Sequence, residues 1–133
     1  MEGEENLMNL LRKSGYSDKA ISYYINKVNF GPMENSSVSF AYTGPCGDTM
    51  EIFLRTDSGK IKDAKFQAIG CAGAHAAGSA LTEMIKGMTL EQAERIKEED
   101  VIDHLDGIPE TKVHCTRLAV ITLNKAIQKH KND

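Results

Sequence analysis

The chain has few of the residues that staple a fold together. It contains three cysteines, Cys46, Cys71 and Cys115, and no two of them form a CxxC pair. An odd number at wide spacing is a poor disulfide framework, and without CxxC neither a zinc ribbon nor a thioredoxin-like redox motif is supported. There is no basic surplus: the formal net charge is -3, so nothing points to nucleic-acid binding. No apolar run approaches the length needed to span a bilayer, which argues against a membrane protein. The opening residues, MEGEENLMNLLRKSG, lack the charged-then-apolar layout of a signal peptide and the Arg-rich composition of a transit peptide. A cytoplasmic protein with reduced thiols is the expectation. Internal repeats and low-complexity tracts are also missing. What remains is 133 residues, 41% apolar and 26% charged, enough for one domain with its own hydrophobic core.

Periodicity divides the chain. Leu7, Met8, Leu10 and Leu11 form a short helical stripe ending at Ser14-Gly15. Residues 1–15 read as a mobile N-terminal extension. Ser17 is an N-cap for a second helix carrying Ala20, Ile21, Tyr24 and Ile25 on one face. After a connector marked by Gly31-Pro32, the period changes to two. Val38, Phe40 and Tyr42 alternate in a first strand, Met50, Ile52 and Leu54 in a second, and Ala64, Phe66 and Ala68 in a third. Thr56 to Lys60 is a hairpin turn with Gly59 where positive φ is expected. A small-residue helix follows Gly70-Cys71 and ends at Gly87. Thr89 with Gln92 resembles a capping box for short acidic helices over 88–106, and a last helix runs from about Val113 to Lys129.

In an antiparallel meander, the loop between the first two strands and the exit of the third lie at one end of the sheet. Cys46 sits in that loop and Cys71 immediately after the third strand. Strands are spaced about 5 Å apart, so the two thiols fall within roughly 10 Å of each other. Cys71 and Cys115 both lie at helix starts, where free N–H groups stabilise a thiolate.

Taken singly, most of these residues have plain readings. Cys115 shares an apolar helix face with Leu118 and Ile121 and reads as packing, and Cys71 reads equally as a small residue for close helix–strand approach. Asp48 alone is an Asx-turn residue, His75 and His114 are surface side chains at helix starts, and Lys112 is a solvated charge. Cys46 is hardest to dismiss, because a Pro/Gly loop rarely supplies core residues. Soft thiolates select iron–sulfur clusters, zinc or copper(I), and a finished site wants four ligands. With three thiols the fourth ligand has to be Asp48, His114, another subunit or a visiting molecule. A three-Cys-plus-Asp site would hold a cluster loosely, which suits a protein that builds a cluster and passes it on.

Three motifs, in order, carry a resemblance to a known family: "CGD" at 46–48, "FQAIGCAGAHAAGS" at 66–79 and "KVHC" at 112–115. From Tyr16-Ser17 to the last helix the chain resembles the IscU/NifU N-terminal-domain scaffolds of iron–sulfur cluster assembly. The resemblance implies an α+β fold, a three-stranded antiparallel sheet with helices packed mainly on one face, as a single scaffold domain over 1–133. It implies that Cys46, Cys71 and Cys115 bind a transient [2Fe–2S] cluster, with Asp48 and His114 as candidate fourth ligands and Lys112 as a modulating charge. It also implies that one or more of the three thiols accept persulfide sulfur from a pyridoxal-phosphate-dependent cysteine desulfurase. The cluster would pass to apo iron–sulfur proteins or carriers, and zinc would occupy the ligands when iron is absent. Such a protein is a scaffold and not a turnover enzyme. One chain or a homodimer could hold the cluster.

Some residues depart from the family pattern. Ile108-Pro109-Glu110-Thr111-Lys112 stands where the family's Leu-Pro-Pro-Val-Lys lies, which weakens the case for an Hsp70-type chaperone partner. "NKVN" at 26–29 replaces Asn-Pro-Arg-Asn, and His75 takes a position usually apolar, so it is not read as a ligand. No further cluster domain follows, and a stand-alone scaffold is expected. The competing reading is a zinc-dependent sulfur acceptor of the SufU type. The short interval between Cys71 and Cys115 and the presence of His114 favour the scaffold.

Overall fold

The computed structural model describes residues 2–132. In chain order these form α1 (Glu2–Lys13), α2 (Asp18–Ile25), β1 (Val38–Thr43), β2 (Thr49–Asp57), β3 (Lys60–Ile69), α3 (Ala72–Ile85), α4 (Leu90–Glu94), α5 (Glu98–His104), a 3-10 turn (Glu110–Lys112) and α6 (Val113–Asn132). The sheet order is β1-β2-β3 and both pairings are antiparallel. This is the expected α+β meander.

Local chemistry explains several boundaries. Ser17 caps α2 by accepting from the Ala20 N–H at 3.0 Å, and its own hydroxyl donates to the Leu105 carbonyl, tying the start of α2 to the end of α5. Thr89 and Gln92 exchange both bonds of the capping box, at 2.9 and 3.1 Å. The β2–β3 hairpin turns on two residues, Ser58 at φ 54 and Gly59 at φ 80, the pair of positive values that a type I′ turn requires.

Strand alternation builds the core. The register aligns Phe40, Ile52 and Phe66 across the sheet, with Val38, Leu54 and Ala64 beside them. Ile52, Leu54, Ala64 and Phe66 are fully buried. α3 packs mainly on β3 and α6 mainly on β1 and β2, so both helices cover this face. α1 brings Leu11 into the same core, with Leu7 and Met8 partly buried beside it. The far edge of β3 is closed without a strand. Gly31 N–H donates to Phe66 O and Phe66 N–H to Asn29 O, while Gly87 and Ile61 trade bonds with Ile61 and Met88.

How α3 approaches the sheet decides where the thiol before it lands. Up to Ala80 its buried residues are small, Gly73, Ala74, Ala76, Ala77, Gly78, Ser79 and Ala80, and large side chains enter only with Leu81 and Ile85. A Cβ at Gly78 would lie 2.5 Å from two ring carbons of Phe66, so the helix backbone rests directly on that ring. Phe66 is 0% exposed and its ring has nowhere to swing. In a Gly78→Ala variant, the helix-propensity gain of about 1 kcal/mol is outweighed by overpacking of typically 1–3 kcal/mol. Urea unfolding is expected to show a net loss of about 1 kcal/mol with an unchanged m-value.

Candidate metal centre

Three separate junctions of the fold deliver the thiols. Cys46 is exposed at the tip of the β1–β2 turn. The turn is closed by Gly44 N–H to Asp48 O at 2.9 Å and by Gly47 N–H to Gly44 O at 3.0 Å, with Gly47 at φ 92. Cys71 is the N-cap residue of α3, half-buried, and Cys115 is the third residue of α6 and fully buried. All three are free thiols.

The structure brings the predicted residues together as two groups with a common member. Donor atoms of Cys46, Asp48 and His114 all lie within 4.8 Å of one another, and so do those of Asp48, Cys71 and Cys115. Cys71 Sγ is 3.5 Å from Cys115 Sγ and 3.8 Å from Asp48 Oδ2, and His114 Nε2 is 3.6 Å from Cys115 Sγ. Lys112, in the 3-10 turn before α6, acts on Cys71 and Cys115 through its charge.

Two glycines make this convergence possible. A Cβ at Gly70 would meet Asp48 Cγ at 2.7 Å and Oδ2 at 2.8 Å, so the carboxylate leans on bare backbone. A Cβ at Gly73 would lie 3.0 Å from Cys115 Sγ, 3.2 Å from the Tyr16 hydroxyl and 3.3 Å from Lys112 Cβ. Tyr16, buried at 8% exposure, is therefore a third wall of the site. Sequence reading assigned no role to Gly70, Gly73 or Tyr16. The pair of glycines flanking Cys71 was the available signal, because bare backbone on both sides of a thiol marks close approach by something else. Tyr16 gave none, since it lies 55 residues from Cys71 in the chain.

The neighbouring sulfurs divide one proton. Cys71 is pulled from 9.0 down to about 5, first by the hydrogen bond from Cys115, against burial, and further by the Ala74 and Gly73 N–H groups and by Lys112. Cys71 makes no regular side-chain capping bond, so those N–H groups act as nearby dipoles at the head of α3. Cys115 is pushed far up, because it keeps its proton and donates it to the Cys71 sulfur and because it is buried. Burial and the two thiols raise Tyr16 to about 12, which keeps its hydroxyl a donor toward Cys71. His75 stands apart from both donor groups. It packs among Phe30, Tyr24 and Phe66 at centroid distances of 5.2, 5.6 and 6.3 Å, and burial lowers its pKa.

Chemically, the site offers three soft sulfurs, one imidazole and one carboxylate placed between them. That set suits sulfide-rich iron or zinc better than a hard oxygen-seeking cation. A metal that takes Asp48 takes a weaker partner than a fourth thiolate.

Comparison with known proteins places this arrangement. The family model described as NifU-like N terminal domain matches residues 15–133. An iron-sulfur cluster assembly scaffold protein IscU of Archaeoglobus fulgidus is 41% identical over 113 residues, covering 84% of this chain and 74% of the relative. The IscU scaffold of Escherichia coli strain K12 is 37% identical over 122 residues, covering 88% and 94%. Among solved structures, an iron-sulfur cluster assembly scaffold protein for the SUF system of Fervidobacterium islandicum AW-1 superposes with a TM-score of 0.70 at 26% identity, over 84% of this chain and 96% of that one. No helix of the described residues is long and apolar enough to cross a membrane.

The divided proton sets an expected pH profile. In metal-free protein, iodoacetamide alkylation of Cys71 is expected to be flat from about pH 6 to 8 and to fall only as pH drops through about 5. An ordinary thiol near 8.5 instead gains about tenfold per pH unit over that range. Cys115 is expected to stay unmodified until the protein unfolds. In Tyr16→Phe, the Cys71 profile is expected to shift to higher pH. Site-resolved mass spectrometry checks all three.

Proposed function

The chain belongs to the NifU-like N-terminal domain family, and from that premise we propose that it is a scaffold for iron–sulfur cluster assembly. It collects iron and persulfide sulfur into a nascent [2Fe–2S] cluster and hands the cluster to apo-proteins. The observation that supports this reading is the position of Asp48, shared between the Cys46–His114 group and the Cys71–Cys115 group. Two adjoining donor groups suit a cargo with two metal atoms. A shared carboxylate, harder than the thiolates around it, suits a cargo that has to leave.

In this reading Cys46, Cys71 and Cys115 are the soft ligands, and Asp48 and His114 are the candidates for the fourth position. Lys112 offsets the negative charge that gathers as thiolates and sulfide come together. Each of the three cysteines is a candidate acceptor of persulfide sulfur from a pyridoxal-phosphate-dependent cysteine desulfurase. The recipients are apo iron–sulfur proteins or carriers. In iron-free protein the same sulfurs, with Asp48 or His114, complete a tetrahedral zinc set. Residues 1–133 work as one scaffold domain, of which residues 15–133 carry the family match.

Anaerobic reconstitution with ferrous iron and sulfide is expected to give the visible absorption of a [2Fe–2S] centre. Asp48→Ala is expected to keep that colour several-fold longer against a chelator, because the remaining donors exchange more slowly. Stoichiometric zinc with no cluster, together with zinc-dependent uptake of sulfur, would replace the scaffold reading by that of a SufU-type sulfur acceptor.

A further inference from the structure

The two edges of the sheet are finished differently. The β3 edge is closed by the chain at 29–31 and 87–90, whereas β1 has no strand on its outer side among the described residues. The register identifies the groups left over. Gly44 N–H donates to Asp48 O, and antiparallel pairs alternate back from there, so the N–H and C=O of Ser39, Ala41 and Thr43 point away from β2. Thr43 and Thr49, directly opposite, have hydroxyls 2.8 Å apart, as the closer side chains of a non-hydrogen-bonded pair do. Ala41 and Thr43 are exposed. One outward carbonyl is covered, because Lys129 Nζ donates to Ser39 O at 3.1 Å.

α6 runs beside this edge, and neither α6 nor β1 contains an acidic residue. Arg117, Ile121, Lys125 and Lys129 follow one another at four-residue steps and so share a stripe of the helix. Arg117 is held by Glu98 at 3.0 Å, while Lys125 lies 5.3 Å from the centre of the Tyr42 ring. At the Cys46 end, a cavity of about 230 Å3 opens beside the Cys46–His114 donor pair, with Tyr42, Arg117, Leu118 and Ile121 among its walls. An open ladder, a row of cations and an apolar hole beside a thiol thus lie in line.

We propose that the β1 edge docks an extended acidic segment of a protein that exchanges cluster or sulfur with Cys46. The segment pairs antiparallel with β1, sets acidic side chains at alternate positions toward Lys125 and Lys129, and places an apolar side chain in the cavity. The identity of the partner rests on the scaffold reading, and the groove itself does not. A second copy is a poor occupant, because two-fold pairing of β1 with itself would bring two stripes of like charge together. Lys129 on Ser39 O guards the edge against such self-pairing. An acidic partner gives that ammonium an alternative and opens the ladder.

The test tethers a probe at Cys46 of the metal-free protein. Two acetylated heptapeptides compete in a buffer of bis(2-hydroxyethyl) disulfide: Cys-Leu-Thr-Glu-Thr-Glu-Thr and its counterpart with lysine for glutamate. The peptide thiolate attacks the mercaptoethanol disulfide at Cys46, a new S–S bond forms, and mercaptoethanol leaves. Peptide mapping is expected to show the acidic probe at Cys46 at least tenfold over the basic one at low salt. Hydrogen exchange is expected to slow at the Ser39, Ala41 and Thr43 amides of that adduct. Lys125→Glu combined with Lys129→Glu is expected to reverse the preference, an outcome that misfolding does not imitate. Equal capture of the two probes, or unchanged exchange at the three amides, overturns the proposal. So does protection of those amides in free protein that grows with concentration, which would make a second copy the occupant. A failed cluster reconstitution would remove the scaffold reading and leave this competition intact.

Discussion

The rest of the structure depends on the contact of the α3 backbone with the Phe66 ring. Because position 78 has no side chain, the helix lies down on β3 instead of standing off it. The N-terminus of α3 then reaches the end of the sheet where the β1–β2 turn emerges, and Cys71 arrives beside Asp48. The buried stripe of small residues in α3 lets α6 pack close as well, which carries Cys115 to within 3.5 Å of Cys71. The site is a consequence of how closely two helices can press on one sheet.

That closeness also fixes the electrostatics. Two thiols in contact cannot ionise together without repulsion in a site half removed from water, so one holds the proton and the other the charge. The helix N-terminus, Lys112 and the Tyr16 hydroxyl all favour charge on Cys71, and burial favours the proton on Cys115. Asp48 brings a carboxylate to the same place, half-buried and packed against the bare backbone of Gly70.

Much of this was legible in the sequence, for identifiable reasons. Period-two alternation at 38–42, 50–54 and 64–68 marks the three strands, and the Thr56–Lys60 turn with its Gly59 marks the second and third as a hairpin. Chain direction alone placed Cys46 and Cys71 at one end of the sheet. Ordered motifs tied Cys115 to them. The grouping of donors into two sets around Asp48 was not legible, because it depends on ångström-scale approach at Gly70 and Gly73. Nor was Tyr16, whose place is set by Ser17 anchoring the start of α2 to Leu105, a contact across 88 residues. The open edge of β1 needed the full strand order and the closure of β3 by non-strand segments.

Exposure falls in chain order across the thiols, from Cys46 at the surface through Cys71 to Cys115 with none. Three sulfurs of one site thus differ in how far each is withdrawn from solvent. A reagent in solution meets Cys46 and the half-buried Cys71 directly, and Cys115 only after the packing around it has moved. The same burial that withholds Cys115 from metals arriving at the surface also shelters it from oxidants, so the sulfur hardest to load is the one hardest to damage.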